Sequence, residues 1–337
     1  MHTRTIGPLT VSAIGLGCMN MSMGYGAAVD ADSESLLNAA LDNGYSFLDT
    51  AALYGGGHNE RLIGRALKHR RQEYVLATKG GFTRTADGKA TINGRPEAIR
   101  RDCEASLKRL GTDVIDLYYV HRLDTDVPVE ETTGALADLK AAGKVRAIGL
   151  SEVCTASLRR AHVEHPIDAV QSEYSLWSRT PEHGVLQACA ELGVTLVPFS
   201  PLARGFLAGS SHDVNTLAET DLRATIARPS FEPDAFAHNV ALLTPFNAVA
   251  ERIGCTPAQL ALAWLLAHRN DTGARTLVPI PGTKHIDWMR ENAGAGDIAL
   301  DDDTVSELDA LINEDAVSGQ RYTDALMAST DSERDRI

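Results

Sequence analysis

The sequence predicts a (β/α)8 barrel, the TIM-barrel architecture, preceded by an N-terminal β-hairpin and followed by extra C-terminal helices. Short apolar segments alternate with helical segments eight times along the chain, and this alternation predicts parallel strands joined by right-handed crossovers. Eight such units are the number that closes a barrel. The competing doubly wound fold would place a G-x-G-x-x-G loop after its first strand, and the chain has no such motif.

The elements are predicted in order from apolar periodicity and turn signals. The hairpin spans residues 2–13 and turns at Gly7-Pro8. The eight strands are predicted at residues 13–17, 46–50, 74–79, 114–120, 145–150, 168–174, 195–199 and 275–280. The helices are predicted at residues 33–43, 59–69, 96–110, 129–142, 155–164, 181–192, 235–253, 257–268, 285–292 and 302–313.

Start and stop residues justify several of these helix boundaries. Asp30 or Asp32 is suited to cap the first helix, and Pro96 occupies a favoured first helical position. Gly143 and Gly193 follow predicted helices and are expected to end them. No break in composition divides the chain, so residues 1–337 are predicted to form a single domain. Within it, residues 201–233 form an irregular loop and residues 314–337 a polar tail.

Composition excludes several classes of protein. The chain has 337 residues, of which 44% are hydrophobic and 23% charged, as is usual for a soluble globular protein. Its formal net charge of −13 argues against nonspecific nucleic-acid binding, and no apolar run is long enough to cross a membrane. The five cysteines are scattered without a C-x-x-C pair, which predicts free thiols and no zinc site. The N-terminus has no apolar signal-peptide core, so we expect a cytoplasmic protein.

Four chemically active residues end or follow three neighbouring predicted strands. Asp49 and Tyr54 follow the second strand, Lys79 ends the third, and His121 follows the fourth. Each residue alone is more often structural, as a cap, a rim aromatic or a solvated strand end. Their convergence on the face of a barrel where chemistry is usually placed favours a catalytic group. Lysine and histidine are also rarely buried at strand ends unless they are paired.

The chemistry that this group suggests is proton transfer. A phenol is a weak acid at neutral pH, and a nearby ammonium is expected to lower its pKa. Asp49 would keep Lys79 charged, so Tyr54 becomes the candidate general acid, and His121 the candidate hydrogen-bond donor to the same substrate oxygen. Such a group protonates a carbonyl oxygen while hydride reaches the carbonyl carbon. No side chain delivers hydride, so a redox cofactor is implied.

Later strand ends have the composition of a cofactor-binding surface. Ser151 and Gln171 are suited to hold an amide, although ordinary strand-end polarity explains them equally well. Phe199 is suited to stack on a planar ring. The run Gly282-Thr283-Lys284 precedes a predicted helix, and helix N-termini bind phosphate. The loops after strands seven and eight are the usual phosphate site of such barrels.

Ordered motifs along nearly the whole chain, from about residue 3 to 313, resemble the aldo-keto reductases. They include Asp49-Thr-Ala-x-x-Tyr54-Gly, Asn59-Glu60, Thr78-Lys79, the strand ending at His121, Gly149-Leu-Ser151, Gln171-Ser-Glu-Tyr-Ser175, Ser200-Pro-Leu and Ile280-Pro-Gly-Thr-Lys284. The segments around Ser151 and Gln171 are most similar to the branch that includes plant perakine reductase and many microbial aldehyde reductases.

The resemblance implies a barrel that binds NADP(H) across its C-terminal face and reduces aldehydes or ketones to alcohols. Tyr54 would be the proton donor, Asp49 and Lys79 would tune it, and His121 would orient the carbonyl. The cofactor residues implied are Ser151, Gln171, Phe199, Ser200, Leu202, Gly205, Gly282, Thr283, Lys284, Glu291 and Asn292. Residues 201–233 would fold over the cofactor. The candidate substrate-pocket residues are Met21, Met23, Trp177 and Tyr322.

Two residues depart from the pattern of the family. Glu152 stands where many members have Asn, which affects one expected contact to the nicotinamide carboxamide. Trp288 stands where many reductases have an Arg for the cofactor 2′-phosphate, and Lys284 is expected to compensate.

Two other functions remain open from the sequence. Some relatives of these reductases are regulatory subunits of potassium channels, so a cofactor-sensing interaction protein is the main alternative. A metal-dependent hydrolase would need clustered His and Asp at strand ends, and His121 is the only strand-end histidine. The expected partner is a small carbonyl or alcohol substrate, with no nucleic acid and no membrane, and the sequence leaves the oligomeric state open.

Overall fold

A seven-stranded parallel sheet forms the centre of this computed structural model, which describes residues 1–85, 89–209, 216–268 and 277–336. The strands are β1 Thr3–Ile6, β2 Leu9–Ser12, β3 Leu16–Gly17, β4 Phe47–Asp49, β5 Val75–Gly80, β6 Phe82–Arg84, β7 Ala90–Ile92, β8 Ile115–Val120, β9 Val145–Ser151, β10 Ala169–Glu173 and β11 Thr195–Phe199. The parallel sheet has the order β11-β10-β9-β8-β5-β4-β3.

An eighth segment joins the two edges of this sheet. Val278 donates a backbone hydrogen bond to Leu196 beside it in β11, at 3.0 Å. On the other side, Gly15 and Gly17 donate to the carbonyls of Pro279 and Pro281, at 2.9 and 3.1 Å. Proline has no N–H to return these bonds, so the segment makes isolated bridges instead of a full ladder. Residues 275 and 276 of the predicted strand lie outside the described residues.

The N-terminal hairpin closes one end of the barrel. Ile6, Leu9 and Val11 are buried in a cluster with inward-facing side chains of the barrel strands. Thr195, at the start of β11, donates its hydroxyl to the carbonyl of Thr5 at 2.9 Å. The hairpin therefore covers the N-terminal ends of the strands, and the opposite end carries the loops that build the site.

Twelve helices are seen in the described part of the chain, and those that follow the strands pack around the sheet. They are α1 Asp30–Asp42, α2 His58–Ala66, α3 Pro96–Leu110, α4 Val129–Ala141, α5 Thr155–Glu164, α6 Val185–Leu192, α7 Pro233–Ala241, α8 Leu243–Ile253, α9 Pro257–Ala267, α10 Ile286–Gly294, α11 Asp302–Leu311 and α12 Asp324–Ala328. The predicted (β/α)8 fold class is confirmed. Within the same residues, no helix is both long and apolar enough to traverse a bilayer.

Apart from shifts of helix ends, of which the largest is the start of α6 at Val185 instead of residue 181, the structure differs from the prediction in three places. Residues 80–94, expected as a loop, contain the small antiparallel hairpin β6–β7. The helix predicted at 235–253 is two helices, because Pro245 in the first turn of α8 supplies no N–H and disfavours helical backbone before it. The polar tail is folded onto the barrel, with α12 and a 3₁₀ turn at Asp331–Arg336.

Candidate active site

The four predicted catalytic residues come together at the C-terminal ends of β4, β5 and β8. Asp49 ends β4, Lys79 lies near the end of β5, and His121 directly follows β8. Lys79 Nζ donates to Asp49 Oδ1, to the Thr50 carbonyl at 2.9 Å and to Tyr54 Oη at 3.3 Å. An ammonium group has three N–H donors, so these three acceptors use all of them.

Burial and the charges of neighbouring residues together set the protonation of this group. Burial alone would lower the pKa of Lys79, but the Asp49 carboxylate and the Tyr54 phenol raise it above its ordinary value. Lys79 therefore stays positively charged. Burial raises the pKa of Tyr54, and the Lys79 charge only partly opposes that effect, so the phenol stays above its ordinary value. The expected net lowering of the Tyr54 pKa is thus wrong for this fold, and Tyr54 holds its proton at neutral pH.

His121 is a neutral imidazole beside the phenol. Its ring centroid lies 5.8 Å from that of Tyr54, with the rings nearly perpendicular. Burial lowers the pKa of His121 well below its usual range, and the charges of Lys79 and Arg122 lower it further. Its Nδ1 is buried and has no hydrogen-bond partner among the residues that the structure describes. A neutral imidazole still carries one N–H, so His121 can donate to a substrate oxygen.

The Asn59-Glu60 pair of the motif ties the start of α2 to the loop after β3, to β5 and to α3. Asn59 Nδ2 donates to the Cys18 carbonyl and to Ser22 Oγ, both at 2.8 Å. Glu60 is fully buried, and its carboxylate accepts from Arg109 and from Thr78 Oγ1. Gly55, Gly56 and Gly57 follow Tyr54 with φ of 58°, 61° and 83°, a backbone that other residues adopt at a cost.

A cavity of about 590 Å³ opens in front of this group. Three of the four predicted catalytic residues and all of the predicted cofactor residues line it. These lining residues are Asp49, Tyr54, His121, Ser151, Gln171, Phe199, Ser200, Leu202, Gly205, Gly282, Thr283, Lys284, Glu291 and Asn292. Lys79 is buried behind the wall and reaches the cavity through Tyr54.

Two of the predicted amide-binding residues already have partners inside the protein. Gln171 Nε2 donates to Asp49 Oδ2 at 2.8 Å, so Gln171 also orients the carboxylate that pairs with Lys79. Ser151 Oγ accepts from Arg122 Nη1 at 3.3 Å. Each side chain can still make further hydrogen bonds. The assignment of Ser151 and Gln171 to a nicotinamide amide therefore remains possible and stays a prediction.

At the other end of the cavity, Lys284 is held just before α10. Its Nζ donates to the carbonyls of Tyr25 and Ala27, at 2.7 and 2.9 Å. Thr283 Oγ1 accepts from the backbone N–H of His285 at 3.0 Å. Trp288, the other departure from the family pattern, lines the cavity and is 53% exposed.

The four predicted substrate residues have different positions. Met23 and Tyr322 line the cavity. Met21 is buried in the apolar core, and Trp177 stacks on Phe206 at 4.6 Å beside a second cavity. The cavity is also lined by polar residues that the sequence analysis does not predict: Asn20, Tyr25, Arg122, Arg204 and Arg223. Among these five, Arg122 could have been predicted, because it follows His121 directly at a strand end.

Glu152 does not line this cavity but binds the tail. Its carboxylate accepts from the Glu173 N–H at 2.8 Å, from Arg321 Nη2 at 2.6 Å and from Ser332 Oγ at 2.8 Å. Glu173 in turn accepts from Arg204 Nη2 at 2.8 Å. We call Glu152, Glu173, Arg204, Arg321 and Glu333 the tail network, since Glu333 also pairs with Arg321.

Because of the tail network, the free energy of unfolding should depend on pH in the acidic range. Burial alone would raise the pKa of Glu152, but Arg321 and Arg122 lower it to about 2 from an ordinary 4.5. A carboxylate whose pKa falls on folding stabilises the protein above its unfolded pKa, and the contribution disappears as the pH falls toward 2. From about 1.4 kcal/mol per pKa unit, we expect the difference in unfolding free energy between wild type and Glu152→Gln to shrink by about 2 kcal/mol between pH 6 and pH 3. Denaturant titration at both pH values measures it, and a constant difference would contradict the linkage.

Comparison with known proteins identifies the family. The model of the aldo/keto reductase family matches residues 13–313. The NADP(+) aldo-keto reductase yakc of Schizosaccharomyces pombe is 42% identical over 326 residues, which cover 95% of this chain and 94% of that protein. The chain therefore belongs to the aldo/keto reductase family.

Solved structures agree with this assignment. The glycerol dehydrogenase of Gluconobacter oxydans superposes with a TM-score of 0.82 at 27% identity and covers 92% of this chain and 94% of its own. An aldo/keto reductase from Klebsiella pneumoniae in complex with NADP and acetate gives a TM-score of 0.71 at 28% identity, covering 95% and 98%. Among the described residues, no group of three or more His, Cys, Asp or Glu is arranged to hold a metal ion.

Proposed function

We propose that this protein is a cytoplasmic NADPH-dependent oxidoreductase that reduces aldehydes and ketones to alcohols, with Tyr54 as the proton donor. The observation that carries the proposal is the hydrogen bond from Lys79 to the Tyr54 phenol inside a large cavity. A protonated phenol backed by a buried, charged ammonium has the features of a general acid. The NADP named for the yeast relative and for the Klebsiella complex supports the choice of cofactor.

The lining of the cavity fits a dinucleotide. Gly282 and Gly17 lie in its wall, where an added Cβ at Gly282 would meet the Gly17 carbonyl oxygen at 3.0 Å. Glycine at position 282 therefore lets the two backbone segments of this wall pack closely against each other. Lys284 and the start of α10 would hold the phosphate at one end, and Phe199, which also lines the cavity, would stack on the nicotinamide ring.

Bound NADPH would supply hydride to the carbonyl carbon. Tyr54 Oη would donate its proton to the carbonyl oxygen, and His121 would hold that oxygen through its N–H. Lys79 would stabilise the phenolate that remains, because its charge is kept by Asp49. Asp49 is in turn oriented by Gln171, so a residue of β10 helps to set the position of the ammonium.

The experiment that tests the proposal follows NADPH consumption with a panel of aliphatic and aromatic aldehydes and ketones. We expect turnover with NADPH that exceeds turnover with NADH. Tight NADPH binding without turnover on any carbonyl would contradict the proposal and favour the cofactor-sensing alternative. An absence of NADPH binding would contradict both.

Lys284 is expected to set the preference for NADPH. Because an ion pair with the 2′-phosphate is charge-assisted, Lys284→Ala should raise the Kd of NADPH about tenfold and leave the Kd of NADH within about twofold. Fluorescence titration of both cofactors measures the two constants. Lys108→Ala, an exposed lysine on α3, is the matched control and should change neither. An equal loss for both cofactors would instead assign Lys284 to holding the loop at Tyr25 and Ala27.

A further inference from the structure

Side chains of the tail, residues 314–336, bind the barrel at two places. Arg321 is 8% exposed and forms ion pairs with Glu152, Glu173 and Glu333. Further along the tail, Asp331 and Asp335 accept from the backbone N–H groups of Cys154 and Thr155, at 2.9 and 2.8 Å. These carboxylates cap the N-terminus of α5, where negative charge is favoured.

Glu152 adopts a backbone conformation that its type normally avoids. Its φ is 55°, in the left-handed region where Gly and Asn are the common residues. Its N–H donates to the Gln171 carbonyl at 2.9 Å, and its own carbonyl accepts from the Ser332 N–H at 3.1 Å. Strained backbone persists where the surroundings hold it in place, and it concentrates at functional sites. Here the surroundings are β10, through Gln171 and Glu173, and the tail, through Ser332 and Arg321.

The tail network supports one side chain of the active-site cavity. Tyr322 follows Arg321, is 4% exposed and lines the cavity. Two guanidinium groups contact its ring, with the central carbons of Arg204 and Arg321 both 4.9 Å from the ring centroid. Arg204 Nη1 also donates to the Arg321 carbonyl at 2.6 Å. Cation–π contacts on a buried ring restrict its position.

Tyr322 is linked to the catalytic group through β10. Its neighbour Arg204 binds Glu173 at the end of β10, the strand that also carries Gln171, and Gln171 binds Asp49. This series of contacts connects the cavity wall at Tyr322 to the strand that orients the Asp49 carboxylate.

We propose that Glu152 is a positioning residue for substrate selection: through Arg321 it holds Tyr322 in the cavity wall, and Tyr322 limits the size of the carbonyl substrate. This inference rests on the proposed function and adds to it a specificity residue and its support. It also gives a role to the residue that departs from the family pattern. The Glu152 carboxylate has no role in the proton transfer itself.

The test is a double-mutant cycle on substrate choice. Wild type, Glu152→Gln, Tyr322→Ala and the double variant are compared by kcat/KM for 2-naphthaldehyde and for propanal. A wider wall should raise the ratio of the large to the small aldehyde about tenfold in Tyr322→Ala, and several-fold in Glu152→Gln. If Glu152 acts through Tyr322, the double variant should match Tyr322→Ala alone. Effects that multiply, an unchanged ratio in Glu152→Gln, or a shifted NADPH Kd with unchanged substrate KM would overturn the proposal.

Asp116→Asn is the matched control. Asp116 is a buried carboxylate that also pairs with two arginines, Arg71 and Arg146, but it lies in β8 away from the tail. Its loss should lower stability and leave the aldehyde ratio unchanged. If Glu152→Gln yields no folded protein, Glu333→Gln replaces it in the double-mutant cycle. This variant removes only the outermost partner of Arg321.

Hydrogen exchange separates this inference from the proposed function. Glu152→Gln should speed backbone amide exchange in residues 316–336 at least tenfold and leave β5 and β8 unchanged. Unchanged exchange in the tail would overturn the anchoring role, whatever the turnover. A third outcome is faster exchange in the tail of Glu152→Gln together with no aldehyde reduction by the wild type. This outcome would support the anchoring role but overturn both the proposed function and the substrate role of Tyr322.

Discussion

Replacing Tyr54 by Phe is expected to lower kcat for aldehyde reduction by about 10³-fold. General acid catalysis by a positioned side chain typically contributes 10²–10⁴-fold, and Tyr54 is the phenol that contacts the buried ammonium. The substitution removes one oxygen and keeps the ring, so NADPH affinity and the contact with His121 should persist. Steady-state kinetics combined with NADPH titration make the comparison.

Tyr118→Phe is the control for this experiment. Tyr118 is fully buried, lies in β8, and its hydroxyl has no hydrogen-bond partner within the described residues. Loss of that hydroxyl should leave kcat within about twofold. Equal kcat in wild type and Tyr54→Phe would rule out the proton-donor role and require another acid, for which His121 is the nearest candidate.

Replacing Lys79 by Met should damage both catalysis and folding. The substitution removes the charge that stabilises the Tyr54 phenolate, so kcat should fall by about 10²–10⁴-fold. It also leaves the buried Asp49 carboxylate without its cation, which typically costs about 3–5 kcal/mol of unfolding free energy. Kinetics on folded protein and denaturant titration measure the two effects.

The second variant, Asp49→Asn with Lys79→Met, separates these effects. With both charges gone, no uncompensated carboxylate remains, and the unfolding free energy should recover by about 2 kcal/mol or more. Turnover should stay low, because the cation is still missing. If turnover recovered together with stability, Lys79 would be a structural residue and the mechanism proposed here would be wrong.

The fold and the centre of the site follow from local sequence signals. The apolar strand ending at Asp49 and the strand ending at Lys79 were visible as short runs, and parallel pairing brings their ends together. The helices α3 and α5 have the boundaries that the sequence predicts, and Pro96 marks the start of α3 locally.

What the sequence could not supply depends on contacts between distant segments. Nothing near Arg321 indicates that it would be buried against Glu152, and a polar tail is usually solvated. The net pKa of Tyr54 was also beyond reach, since it depends on how completely the folded protein removes the phenol from water. Trp177 could be recognised as an aromatic after a strand, but only packing places it on Phe206.

The two ends of the chain divide the work at the cavity. Asp49, Tyr54 and Lys79 come from the first third of the sequence, whereas Tyr322 comes from the tail. If Tyr322 limits substrate size as proposed above, substitutions at that position would vary the shape offered to substrates and leave the proton-transfer group intact. In terms of evolution and design, the substrate range could then change without loss of the chemical step, provided that the contacts of Arg321, Asp331 and Asp335 that hold the tail are kept.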